Sequence, residues 1–201
     1  MEKDEKVYID LQRHLDSQAI GFPATRSGAE LRILKHIFSP TEAEIAACLS
    51  FKFEPIETVF ERARHLVEST KNLSEILHGI ETKGGIELTI KNGKSFYRNV
   101  PLVVGMYEFQ LDHLTQGFLK DFDDYTSDKK FGIEFLSTKL PQMRTIPIAK
   151  SILPLHPIST FDEVTALLQQ ADPPFSIFEC ICRKKKALGG EPCRVTSRKE
   201  T

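Results

Sequence analysis

The stretch Gly84-Gly85-Ile86-Glu87-Leu88-Thr89-Ile90-Lys91-Asn92-Gly93-Lys94-Ser95-Phe96-Tyr97-Arg98 decides the fold class. Ile86, Leu88 and Ile90 alternate with Glu87, Thr89 and Lys91. A period of two belongs to a strand with one apolar face. Asn92-Gly93 follows, and Phe96-Tyr97 lie on the return. A two-residue turn that matches strand twist needs positive φ at both positions, which Asn and Gly accept with least strain. The stretch predicts a β-hairpin.

Upstream of it the apolar period is near four. Val7, Leu11, Leu15 and Ala19 predict a helix over residues 7–20, ended by Gly21-Phe22-Pro23. Ser27-Gly28-Ala29-Glu30 and Ser39-Pro40-Thr41-Glu42 have the spacing of capping boxes, with Pro40 where its missing N–H is harmless. Leu31, Ile33, Leu34, Ile37 and Phe38 give the first of these helices its buried face. Glu54-Pro55 opens a third helix over residues 54–69, with Ile56, Val59, Phe60, Ala63, Leu66 and Val67 on one side. Asn72-Leu73-Ser74-Glu75 caps a fourth that carries Leu73, Ile76, Leu77 and Ile80. Helices followed by a hairpin is the order of a winged helix-turn-helix domain.

Beyond Pro101, the residues Val104, Tyr107, Leu111, Leu114, Phe118, Phe122 and Tyr125 predict one long helix. Such a stripe packs in the monomer core or on a second copy, as a homodimer. Farther on, Arg144-Thr145-Ile146-Pro147-Ile148 reads as an edge strand. Ser159 or Thr160 opens a helix through Leu168, and residues 175–182 read as a strand that delivers two cysteines. The expected fold class is therefore α+β. It comprises an N-terminal helix (1–26), a winged-helix domain (27–100), a long connecting helix (101–126) and a small α/β unit (127–201) ending in a Cys-x-Cys-Arg motif.

Composition limits the function. The chain has 201 residues, 40% hydrophobic and 27% charged, an ordinary globular balance. No apolar run approaches bilayer thickness, so no membrane partner is expected. Met1-Glu2-Lys3-Asp4-Glu5-Lys6 is charged with no apolar run behind it, so a signal peptide is not expected and the default location is cytoplasmic. Residues 183–201 hold seven basic and two acidic groups, leaving 20 basic and 26 acidic for residues 1–182. An acidic body with a basic tail argues against a broad DNA-binding face. The predicted third helix carries Glu54, Glu57, Glu61 and Glu68 against Arg62 and Arg64. Those two arginines, with Lys91, Lys94 and Arg98 of the wing, are the candidate nucleic-acid contacts. DNA binding is therefore open but not favoured. The histidines are scattered and fit no His-Glu-x-x-His, Gly-x-Ser-x-Gly or phosphate-loop pattern, so hydrolytic or transferase chemistry is not expected.

Chemistry concentrates in the cysteines. Cys180, Cys182 and Cys193 fall within fourteen positions, while Cys48 stands apart in a helical pattern. Thiolates are soft ligands that suit zinc and iron–sulfur clusters alike. On a strand, residues two apart face one side, so Cys180 and Cys182 would point at one metal. Leu188-Gly189-Gly190-Glu191-Pro192 is turn-rich and able to bring Cys193 back toward the pair. The adjoining Arg183-Lys184-Lys185-Lys186 would offset the negative charge of a thiolate-bound cluster. Three free thiols beside a solvated basic run is the plain alternative.

Several segments together resemble a known family. They are Gly21-Phe22-Pro23, Glu30-Leu31-Arg32-Ile33-Leu34, Phe38-Ser39-Pro40-Thr41-Glu42-Ala43-Glu44 and Lys83-Gly84-Gly85-Ile86. The more specific ones are Pro101-Leu102-Val103-Val104-Gly105-Met106-Tyr107-Glu108-Phe109 and Cys180-Ile181-Cys182-Arg183 with the later Cys193. The chain resembles anaerobe 4Fe-4S ferredoxin-type proteins with an N-terminal winged-helix region. The resemblance implies a 4Fe-4S cluster held by Cys180, Cys182 and Cys193, with a fourth cysteine and the ferredoxin repeats expected past Thr201. It also implies electron transfer in anaerobic metabolism, a redox protein partner, and a role, if any in catalysis, as an oxidoreductase component. A redox input to a winged-helix transcriptional regulator, or structural zinc in a docking module, are the alternative readings.

Overall fold

A computed structural model of the chain describes residues 2–137, 161–173, 175 and 178–191. The predicted strand at 144–148 and Cys193 lie outside them. The chain divides into two compact units, Met1–Gln142 with Cys180–Thr201, and Met143–Glu179. The first unit is an α+β assembly. Helices α1 (Glu2–Asp16), α2 (Ala29–Ile37) and α3 (Pro40–Ala46) lead into a short strand β1 (Glu54–Pro55). Then come α4 (Ile56–Ala63), α5 (Thr70–Thr82) and the hairpin β2 (Ile86–Lys91) and β3 (Lys94–Asn99). Helices α6 (Gln116–Thr126) and α7 (Lys129–Ser137) follow. In the second unit the described element is α8 (Phe161–Gln170), with Leu167 and Leu168 exposed. The last helix, α9 (Ile181–Leu188), belongs to the first unit. No helix among the described residues is long and apolar enough to cross a membrane.

The hairpin forms as the sequence predicts. Asn92 has φ 52° and Gly93 φ 73°, and Lys91 pairs with Lys94 across the two-residue turn. The sheet is antiparallel in the order β1-β3-β2, because Glu54 and Pro55 pair with Tyr97 and Phe96 on the far side of β3. Glu54-Pro55 is thus a strand rather than the start of a helix, and α4 begins only at Ile56. Asn99 anchors the end of β3. Its buried side-chain amide donates to the carbonyls of Ala46 and Leu49, 3.0 and 3.1 Å away, tying β3 to the end of α3.

Local capping departs from the sequence reading in two of three places. Ser39 and Glu42 form the expected reciprocal box. At α2 the cap is Gly28, with φ 65° and no side-chain cap, because Glu30 instead accepts from the Thr25 hydroxyl in a buried site. At α5 the cap is Ser69, whose hydroxyl accepts from the Asn72 N–H at 3.2 Å, so the helix starts earlier than the Asn72 signal suggests. Helix α1 stops at Asp16, whose carboxylate takes the Phe22 N–H at 2.9 Å and turns the chain.

The long helix over 101–126 does not form. Val103, Val104 and Gly105 leave helical angles, a single 3₁₀ turn covers Glu108–Gln110, and α6 begins only after the Thr115 cap. Pro101 fixes an extended start, and stiff β-branched Val103 and Val104 favour extended backbone. The predicted stripe therefore splits. Phe118, Phe122 and Tyr125 are buried on α6, whereas Val104 is exposed, with Leu102, Met106 and Tyr107 buried instead. The basis for a homodimer through this helix goes with it. The turn seats against Gly84-Gly85: a Cβ on Gly84 would lie 2.6 Å from the Phe109 Cβ, and one on Gly85 2.6 Å from the Phe38 ring.

One polar clamp fixes α6 on α2. Arg32 Nε meets Asp121 Oδ1 at 2.6 Å, its Nη2 reaches Asp124 at 3.3 Å, and His36 Nε2 meets Asp121 Oδ2 at 2.9 Å. The Tyr125 hydroxyl, fully buried, donates to the Pro23 carbonyl at 3.0 Å. Burial works against ionisation of Asp121, yet the bonds to Arg32 and His36 prevail and hold its carboxyl below the usual aspartate range. Its contribution to stability is present above that range and is lost as pH falls through the lowered folded value. Asp121→Asn is accordingly expected to lower the urea midpoint at neutral pH. The gap to the parent protein should close as the pH is lowered past the carboxylate range, and a gap that stays constant would exclude this clamp as its cause.

Candidate thiol site

The cysteine pair sits at the head of a helix and not on a strand. Cys180 is the N-cap of α9, and Cys182 lies in its first turn. The apolar alternation ahead of it does not produce a strand among the described residues, where Phe175 and Phe178 are exposed. The run Arg183-Lys184-Lys185-Lys186-Ala187-Leu188 consists of strong helix formers, which decides the local structure. Gly190, with φ 74°, closes the helix as Glu191 N–H bonds back to the Lys186 carbonyl. Strand geometry therefore does not set the direction of the two thiols. Both are nevertheless exposed, on either side of the buried Ile181.

Three kinds of contact pin α9 to the body. Ile181 joins the apolar core. Lys184 pairs with Asp112 at 3.6 Å and Lys185 with Asp123 of α6. The Lys185 ammonium also lies over the Phe122 ring, 5.3 Å from its centroid, and Gln116 donates to the Leu188 carbonyl at 2.8 Å. The basic run is thus a docking face, not a solvated tail. It belongs with α6 in the first unit and not to a separate unit spanning 127–201.

Tyr107 stands beside this helix. Its ring stacks on Phe122 with centroids 4.0 Å apart and planes 16° apart, so Tyr107, Phe122 and Lys185 form one assembly. The residue is 5% exposed, and no described group makes a hydrogen bond with its hydroxyl. Burial, then negative charge at Cys182, pushes its phenol up to about 12, with Asp123, Glu108 and Cys180 adding to the effect. The sequence reading assigned Tyr107 to a helical stripe. Its one signal was membership of the Pro101-to-Phe109 segment.

The other candidates are dispersed. Cys48 is half-buried, its thiol pushed up by burial, with Sγ 3.5 Å from the Glu44 carbonyl. Arg62 is committed to Glu54 (2.6 Å) and to the Cys48 carbonyl (2.6 Å), and Arg98 to Glu87 (2.5 Å) while stacked 4.4 Å over Phe53. Arg64 makes only a long contact with Glu61, 3.9 Å. Lys91 lies over Phe53, and Lys94 is exposed at the turn. Among the described residues no three His, Cys, Asp or Glu side chains converge as a metal-holding group. The described chain offers two thiols, with Cys193 outside it.

If the Lys185–Asp123 contact holds α9 in place, Asp123→Asn should speed amide exchange across Ile181–Leu188 by roughly two- to fivefold, the range for a partly exposed ion pair. Exchange in α5 should not change. Unaltered exchange in α9 would show that Ile181 and the Gln116 bond suffice. Compared with known proteins, the chain matches no family model, no curated protein and no solved structure.

Proposed function

We propose that the chain is a thiolate-ligated metalloprotein of the ferredoxin-type class, holding an iron–sulfur cluster for electron transfer or redox sensing. The observation that carries this reading is the pair of exposed thiols, Cys180 and Cys182, at the head of a helix fixed to the body by Ile181, Lys184 and Lys185. A free thiol pair on a solvated tail needs no such anchoring. The donor chemistry fits a thiophilic metal. Cys180 and Cys182 would be ligands, with Cys193 as the third. A bound cluster would supply one-electron chemistry at these sulfurs. The lysines keep cationic charge next to the anionic ligands, and α6 holds them there.

Protein purified without oxygen is expected to carry iron with inorganic sulfide and a visible thiolate charge-transfer absorption. Both should be lost in Cys180→Ala and in Cys182→Ala. Zinc in place of iron would convert the reading to a structural site, and metal-free, colourless protein would remove it.

A second reading, a winged-helix nucleic-acid-binding module, is favoured by one observation. The helices with β1 and the antiparallel hairpin, in the sheet order β1-β3-β2, support that reading, in which the Lys91–Lys94 turn would be the wing. In this arrangement the helix preceding the hairpin is α5, not the acidic segment 54–69. Arg62 and Arg98 are engaged within the protein, so of the five candidates Arg64, Lys91 and Lys94 are left for phosphate. Salt-sensitive retention on random duplex DNA, weakened in Lys91→Ala/Lys94→Ala, is the expected result of this reading. Absence of retention at low salt would leave the module as a protein-docking body.

A further inference from the structure

We infer that the outward face of the β-sheet binds single-stranded nucleic acid, with bases stacked on Phe53, Phe96 and Arg98 and phosphates held at Lys91 and Lys94. The inference rests on the nucleic-acid reading of this module and deepens it by naming single strands as the ligand. It is independent of the thiols.

Strand register sorts the side chains. Directly paired residues point to one face of a sheet, and successive residues alternate. Ile86 with Asn99 and Leu88 with Tyr97 make the core face, where Ile86, Tyr97 and Asn99 are buried. Glu87 with Arg98, Thr89 with Phe96 and Lys91 with Lys94 make the outward face, and Pro55 of β1 continues the Phe96 row. Phe53 lies two residues before Pro55 and reaches the same face, since Arg98 and Lys91 lie 4.4 and 5.7 Å from its ring centroid. Phe53 and Phe96 are half-buried and stand outside the apolar core.

These rings have the chemistry of a stacking platform. Every base has a π-face, so aromatic side chains on an open surface hold single strands with little regard to sequence. Arg98 adds a third plane. Glu87 grips its guanidinium at two points, Nε at 2.7 Å and Nη2 at 2.5 Å, and its side chain stays 30% exposed above Phe53. A guanidinium plane held in this way can stack on a base.

Charge selects the occupant. Lys91 and Lys94 are exposed and directly opposed across the turn. Like charges so placed repel each other, and an anion between them relieves the repulsion. Among the described residues neither lysine makes an ion pair. Rings beside a phosphate site suit a nucleic acid better than an acidic peptide, which has no use for the rings. A duplex keeps its base faces inside its own stack, so only a single strand engages rings and lysines together.

Fluorescence anisotropy of dye-labelled oligo(dT), about ten nucleotides long, is the measurement, beside an abasic strand and a duplex of equal length. Oligo(dT) is expected to bind more tightly than either. Phe53→Leu and Phe96→Leu keep apolar bulk but lose the flat ring. Each should weaken oligo(dT) by roughly 5- to 150-fold, the range for one stacked base, and leave the abasic strand unchanged. Lys91→Ala/Lys94→Ala should weaken all three and lower the oligo(dT) salt slope by about 1.4. Thr89→Glu keeps both rings, sets a carboxylate beside Phe96 and should abolish oligo(dT) binding with the unfolding midpoint retained; it serves where a Phe variant fails to fold. Equal binding of the abasic strand, tighter binding of the duplex, or Phe and Thr89 variants that match the parent would overturn the inference and leave the nucleic-acid reading standing. If no strand and no duplex binds at low salt, that reading itself fails and the inference falls with it.

Discussion

Asp121 holds together what the rest of the molecule needs. Its two carboxylate oxygens take Arg32 and His36 of α2, which fixes α6 in rotation as well as position. Successive residues of a helix point about 100° apart. Fixing Asp121 toward α2 therefore presents Phe122 to Tyr107 and Asp123 to Lys185. One part-buried polar cluster sets the address of the aromatic stack, and the stack with Asp123 contributes to the address of α9.

The body of the protein reaches that arrangement by ordinary means. Leu11, Ile33, Leu34, Ile45, Leu73, Leu77 and Ile80 are fully buried, so α1, α2, α3 and α5 share one core. Asn99 ties β3 to the end of α3, and the hairpin carries the sheet out to a cationic turn. The charge asymmetry of the sequence then has a structural meaning. Acidic Asp112 and Asp123 meet basic Lys184 and Lys185, so body and tail attract each other at short range. Separated by many residues in the chain, these charges look like independent features until the fold pairs them.

Local and non-local signals divide the sequence accordingly. The hairpin was fully legible, because alternation and Asn-Gly act within a dozen residues and no tertiary contact competes with them. Ser39-Glu42 was legible for the same reason. Ser27-Glu30 was not, because Glu30 found a partner in Thr25, outside the box. The stripe from Val104 to Tyr125 misled because seven apolar positions at helical spacing can belong to two segments, and Pro101, Val103 and Val104 favour extended backbone at the first of them. The alternation at 175–182 yields at its end to the run of helix formers from Arg183 to Leu188, so that Ile181 and Cys182 are helical.

By itself the sequence determined the α+β class, the helices of the first hundred residues and their hairpin, and the residue types able to hold a thiophilic metal. These follow from periodicity, turn chemistry and side-chain softness, all properties of the residues concerned. Only the tertiary structure decided that the cysteines head a helix, that their basic neighbours dock on α6, and that a buried Tyr107 stacks on the Phe122 ring that Lys185 covers. Those depend on which residues distant in the chain meet, and a linear pattern carries no record of a contact made between its ends.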